Sequence, residues 1–181
     1  MPTFVALLRG VNVGKAKRVP METLRSLLSG LGYTNVKTLL NSGNAVFRAS
    51  GASAPAHARS IAQAISENLS IEVPVIVKTI KQLDAVLKEN PFVRVAEDHS
   101  RLLVAFTQAD QSLSGLKMIE PLVAAPEGFL VGKHAAYLHC PTGILESKAG
   151  EALLGKVGKT ATTRNWATTL KLHALAGAGD A

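Results

Sequence analysis

The chain of 181 residues is 47% hydrophobic and carries a formal charge of +7, a composition that supports a folded core and lies outside the disordered range. Its longest purely apolar runs, such as residues 4–8 and 102–106, are five residues, far short of the roughly 20 a membrane helix needs, and no secretory leader pattern is visible, so a cytosolic protein away from membranes is expected. One cysteine, Cys140, rules out an internal disulfide and leaves a thiolate zinc site without a framework; neither metal nor cofactor is expected.

In chain order, residues 4–8 form an apolar strand that runs into a glycine-bearing basic loop, Arg9-Gly-Val-Asn-Val-Gly-Lys15-Ala-Lys-Arg18. Met21, Leu24, Leu27, Leu28 and Leu31 then make one helical stripe, with Pro20 suited to its first turn and Gly30 or Gly32 to its end. A strand over 36–40, the loop Asn41-Ser-Gly-Asn44 and a strand over 45–48 read as a hairpin, because asparagine and glycine tolerate the positive φ of tight turns. A helix over about 56–69, with Ile61, Ile65 and Leu69 on one face, leads to a β-branched strand over 73–77. The order is β-α-β-β-α-β, that of a ferredoxin-like unit.

A short helix through Leu83, Val86 and Leu87 closes a first unit over residues 1–90, and residues 91–100 read as a connector. The second unit, 101–181, repeats the order approximately: a strand over 101–107, a helix over about 112–123, and strands over 128–132 and 135–140. Helices over about 145–156 and 163–174 follow, the latter capped by Thr162 or Thr163, with Trp166, Leu170 and Ala174 on one face and Trp166 as its packing anchor. No final strand is expected in this unit, and residues 176–181 are expected to fray. The fold class is therefore α+β: a ferredoxin-like unit, then a partly related α/β unit with C-terminal helices.

Charge singles out the first loop. Residues 1–48 hold seven Lys or Arg against one carboxylate, Glu22, whereas residues 49–146 hold eight basic and ten acidic side chains and residues 147–173 five and one. In a ferredoxin-like sheet the third strand lies antiparallel between the first and second, so the loop after strand one and the strand two to three hairpin share one end. Arg9, Asn12, Lys15 and Arg18 are thus expected beside Asn41, Ser42 and Asn44, where a helix N-terminus adds N–H groups and partial positive charge and the asparagines and serine add neutral donors. Arg48, four residues past Asn44, belongs at the opposite end. Arg164 and Asn165 are second-tier candidates.

Named motifs fail here. Gly10 to Lys15 has the spacing G-x-x-x-G-K with Ala16 in place of Ser or Thr, and Gly158-Lys159-Thr160 has Leu153 where the first glycine of a phosphate loop would stand. Ser42 to Phe47 matches an RNA-recognition strand only in part, and eight aromatics in the chain make a stacking sheet a weak expectation. The site offers only Glu22 for acid–base work. His57, His99, His134, His139 and His173 lie outside the loop cluster, and Cys140 reads as a small core residue.

The segments Leu7-Leu-Arg-Gly-Val-Asn-Val-Gly14, Val19-Pro-Met-Glu-Thr-Leu-Arg25, Asn41-Ser-Gly-Asn-Ala-Val-Phe47 and Arg164-Asn-Trp166 together resemble the domain of unknown function 1697 family, and Gly143-Ile-Leu-Glu-Ser-Lys148 resembles a later family segment. The resemblance implies an α+β fold of two related units in a bacterial-type cytosolic protein and no established activity. Three readings of the site follow. The first is binding of a phosphate-bearing anion, nucleic acid or nucleotide, at the basic loop; the second is an enzyme acting on a phosphorylated or carboxylated metabolite; the third is a protein-interaction module, with a homodimer across a sheet edge as one form.

Overall fold

The structure is a computed structural model and describes residues 1–178. Contacts divide the chain into residues 1–83 with 172–181, and residues 84–171; each unit is taken by itself. This partition differs from bounds read along the chain because two helices, 80–89 and 166–177, each carry the chain from one unit to the other.

The first unit contains β1 (Thr3–Leu8), α1 (Met21–Gly30), β2 (Thr34–Thr38), β3 (Asn44–Arg48), α2 (Ala54–Leu69) and β4 (Val75–Thr79), and α3 (Ile80–Glu89) leads out of it. Its sheet order is β2-β3-β1-β4. β1 is antiparallel to β3 and β4, and β3 is antiparallel to β2, so β3 lies between two strands that run the same way, as the element order predicts. Phe4, Ala6, Leu8, Ala45, Phe47 and Val77 face a core completed by Leu24 and Leu28 of α1 and Ile61 and Ile65 of α2. Side chains two apart on the strands and three or four apart on the helices meet there. β4 starts two residues later than expected, directly after Pro74, which has no N–H for the ladder. Ser53, three residues ahead of the predicted start of α2, accepts the Ala56 N–H and extends that helix backward.

The second unit contains β5 (Leu102–Thr107), β6 (Gly128–Val131), β7 (Ala136–His139), α4 (Lys148–Leu154) and β8 (Ala161–Asn165), with α5 (Trp166–Gly177) leading out of it. Its order β6-β7-β5-β8 reproduces that of the first sheet. Five expectations are corrected here. The predicted helix over 112–123 is a 3-10 segment, Asp110–Leu122, whose buried Leu113, Leu116 and Ile119 recur every three residues; three-residue turns align that spacing, and α-turns do not. A final strand does exist: β8 pairs antiparallel with β5 from Ala161↔Thr107 to Asn165↔Leu103, across the threonines read as a helix start. The α5 cap is accordingly Asn165, whose Oδ1 accepts the Thr168 N–H at 2.8 Å. Trp166 is buried as expected, but Leu170 and Ala174 are exposed, and the inward face of α5 carries Thr169, Leu172 and Ala176. The predicted helix over 145–156 is broken by Ser147, which caps α4 through the Gly150 N–H. Ala176 and Gly177 remain helical, and residues 179–181 of the predicted frayed tail lie outside the described residues.

Candidate functional site

The site is built on the end of β1, a central strand with every residue buried. The Leu8 N–H donates to Gly43 O and the Arg9 N–H to Pro74 O, each at 2.9 Å. The chain therefore leaves β1 between the β2–β3 hairpin and the start of β4, and the loop and hairpin share an end as topology requires.

Val11 and Val19 are buried and act as two feet, while residues 13–18 between them are exposed. Asn12 ties the feet together. Its Nδ2 donates to Val19 O at 2.8 Å and to Asn41 O at 2.6 Å, and its Oδ1 accepts the Val19 N–H at 2.9 Å. Its backbone N–H donates to Lys17 O at 3.1 Å, closing a ring across the loop. Three of the five described non-glycine residues with positive φ, Asn12, Lys17 and Leu40, fall on this loop and hairpin, a concentration of unfavourable backbone that surrounding hydrogen bonds must hold. Gly43 permits the close approach of the two segments: at φ +87°, a Cβ there would lie 2.6 Å from Leu8 Cβ and 2.7 Å from Val11 Cγ2.

The expected site residues separate into two roles. Both amide protons of Asn12 are committed to carbonyls, and both of Asn44 are committed to Leu39 O and the Ser42 Oγ, each at 2.9 Å. Asn44 is also fully buried. These two asparagines brace the loops, and the neutral donors expected of them are taken. Asn41 and Ser42 are exposed beside the loop. Lys15 and Arg18 project to solvent together with Lys17, a third cation of the same loop beyond the expected site residues. Arg9 is half-buried, and burial lowers its pKa below the usual guanidinium range; a guanidinium stays cationic near neutral pH after any modest shift. Arg48 lies at the opposite end, opposite Thr3, with its guanidinium on Met1 O at 3.0 and 3.1 Å.

Arg164 and Asn165 stand in the second unit. Arg164 is buried, which lowers its pKa to about 10, and its Nη1 donates to the Thr162 Oγ1 at 2.9 Å and to Thr163 O at 2.8 Å. Asn165 caps α5 with its carboxamide oxygen. Both are held by local structure. Among the described residues no cluster of three His, Cys, Asp or Glu side chains could hold a metal ion, and no helix is long and apolar enough to cross a membrane.

Two further polar centres were not legible in the sequence. His57 on α2 is buried among Phe4, Tyr33 and Phe47, with ring centroids 4.8, 5.0 and 5.8 Å away; its Nδ1 lies 2.8 Å from the Tyr33 hydroxyl. Glu89, in the last turn of α3, accepts the backbone N–H of Lys133 and of His134 and the Tyr137 hydroxyl, which is 2.8 Å away. Burial alone would raise the Glu89 pKa, but these donors outweigh it and hold the carboxyl below its usual range. Its carboxylate thus pins the β6–β7 turn, where Asn12 pins the β2–β3 turn in the first unit.

Fold and site together define an α+β protein of two like sheets, with a braced cationic loop at the end of the first. The chain belongs to the family described as protein of unknown function (DUF1697), whose model matches residues 1–137. That span holds the basic loop and the Asn41–Asn44 hairpin; residues 143–148 and 164–166, which also resemble the family, lie beyond it. No curated protein matches the chain. Among solved structures it is similar to the conserved bacterial protein SP0830 from Streptococcus pneumoniae, at 22% identity over 96% of this chain and 98% of that one, with a TM-score of 0.80. At that identity the likeness shows the fold alone.

Proposed function

We propose that the loop after β1 binds a phosphate-bearing anion, nucleic acid or nucleotide, in a cytosolic, bacterial-type protein. Lys15, Lys17 and Arg18 supply the outer contacts, Arg9 stands at the base, and Asn41 and Ser42 form the neighbouring wall. The observation that carries this reading is the bracing by Asn12: one side chain holds both feet and the hairpin, so three cations are presented on a loop ordered before any ligand arrives. Preorganisation lowers the entropy an anion must offset on binding.

The ligand is read through phosphate and not through bases. Phe4, Tyr33, Phe47, Phe106, Tyr137 and Trp166 are buried, and Phe92 and Phe129 are partly so, which leaves no open platform for base stacking. Phosphate contacts position a polymer without reading its sequence.

Fluorescence anisotropy of labelled single-stranded RNA and double-stranded DNA, at roughly 50 and 200 mM salt, tests the reading beside a Lys15→Ala/Arg18→Ala variant. Loss of two phosphate contacts should weaken binding and flatten the salt slope by about 1.4 on a single strand. Absence of binding to either polymer at the lower salt rejects the nucleic-acid reading, and a failed mononucleotide titration would then reject the phosphate site.

A further inference from the structure

The second unit holds an open groove of about 490 Å³ between the 3-10 segment Asp110–Leu122 and the turn that joins α4 to β8. Met118 and Val157 supply its apolar surface, Lys156 and Lys159 its charge, and Ser112 and Thr160 hydroxyls; among the described residues no carboxylate lines it. Its volume falls within the usual range for small-molecule sites. Met118 is 70% exposed, a long and adaptable apolar side chain left on the surface of a groove that Lys156 and Lys159 also line.

The turn that carries the lysines is a built feature. The Lys159 N–H donates to Lys156 O at 3.3 Å, and the Ala161 N–H to Gly158 O at 2.9 Å as β8 begins. Gly158 is pressed so tightly onto α4 that a Cβ there would stand 1.7 Å from Leu153 O. This turn is the Gly158-Lys159-Thr160 segment, half of a phosphate-loop pattern that no phosphate loop completes. In the fold its lysine and threonine both reach the groove.

We propose that this groove is a second ligand site, which takes a small organic anion: an apolar body seated on Met118 and Val157 with a phosphate or carboxylate head between Lys156 and Lys159. An apolar surface accounts for the body and the paired cations without a nearby lining carboxylate account for the head, since neither feature alone favours an amphiphile over a simple ion or a neutral oil. The site is independent of the basic loop after β1 and does not rest on the function proposed for it.

The test uses the full chain, labelled with nitrogen-15, and follows amide shifts on titration with octyl phosphate below its micelle concentration. Saturable shifts at Gly115, Val157 and Thr160 are expected, with at least about tenfold weaker responses to inorganic phosphate and to octanol, each of which keeps one half of the contact. Lys156→Gln/Lys159→Gln should weaken octyl phosphate about tenfold, and so should Met118→Glu, an exposed position where the fold tolerates change and the new carboxylate repels the head. Lys15→Ala/Arg18→Ala should leave it unchanged. An octanoate titration then tells a carboxylate from a phosphate preference. Shifts confined to the loop after β1, a response that does not saturate, or equal affinity in the Lys156/Lys159 variant would each overturn the proposal.

Discussion

The side chain of Asn12 joins two segments 29 residues apart by donating to the backbone carbonyl of Asn41, and the same amide holds Val19 from both its N–H and its C=O. Asn12→Ala leaves those backbone groups without partners at a partly buried site, so stability should fall by about 2 kcal/mol. Asn12→Asp should cost more, because a carboxylate oxygen would then oppose two carbonyls. Urea midpoints order the three proteins, and an aspartate variant as stable as wild type would remove the bracing role.

Gly43 sets how closely the hairpin approaches the loop. Gly43→Ala adds a methyl group that overlaps Leu8 and Val11 at a φ of +87°, and overpacking with left-handed strain should cost about 2 kcal/mol or more. Anion affinity should fall with it, because the feet of the loop must shift. A variant with unchanged unfolding midpoint would show that the contact relaxes freely.

His57 makes the first unit sensitive to acid. Its Nε2 is buried with no hydrogen-bond partner, and burial lowers its pKa below the usual 6.5. The unfolded chain therefore binds a proton that the folded chain refuses: this stability is full above pH 6.5 and falls as pH drops from 6.5 toward the lower folded pKa. His57→Phe keeps a ring in the aromatic cluster and should flatten the dependence. Denaturation midpoints between about pH 5 and 7.5 give the comparison, and equal slopes in both proteins would contradict it.

Glu89 holds the β6–β7 turn with three accepted hydrogen bonds. Glu89→Gln replaces an acceptor oxygen by a donor facing donors, and should destabilise the chain by about 2 kcal/mol at neutral pH. Because the folded pKa of Glu89 is lowered from 4.5, its contribution is present above about pH 4.5 and is lost as pH falls below it. The gap between wild type and variant should therefore narrow in acid, and a constant gap from pH 7 to 3 would assign the effect to packing.

Where the sequence misled, the cause was non-local. β8 owes its extended form to β5, since Thr162 and Thr163 pair with Phe106 and Ala105, and nothing in residues 161–165 alone separates a short strand from a helix start. The 3-10 segment was legible in principle from the three-residue spacing of Leu113, Leu116 and Ile119, which the strength of the apolar pattern disguised as an α-helix. Lys17 could have been placed in the site from its Lys15 and Arg18 neighbours, but its left-handed φ could not.

Sequence alone determined the α+β class, the β-α-β-β-α-β order of the first unit and the shared end of its loop and hairpin, because apolar periodicity and turn residues are local properties and an order of strands restricts which ends can meet. The tertiary structure alone decided which polar side chains of the site are available. An asparagine carries the same two amide protons wherever it stands, and only the placement of Val19, Asn41, Leu39 and Ser42 around Asn12 and Asn44 commits those protons to the protein, while Lys15, Lys17 and Arg18 stay exposed.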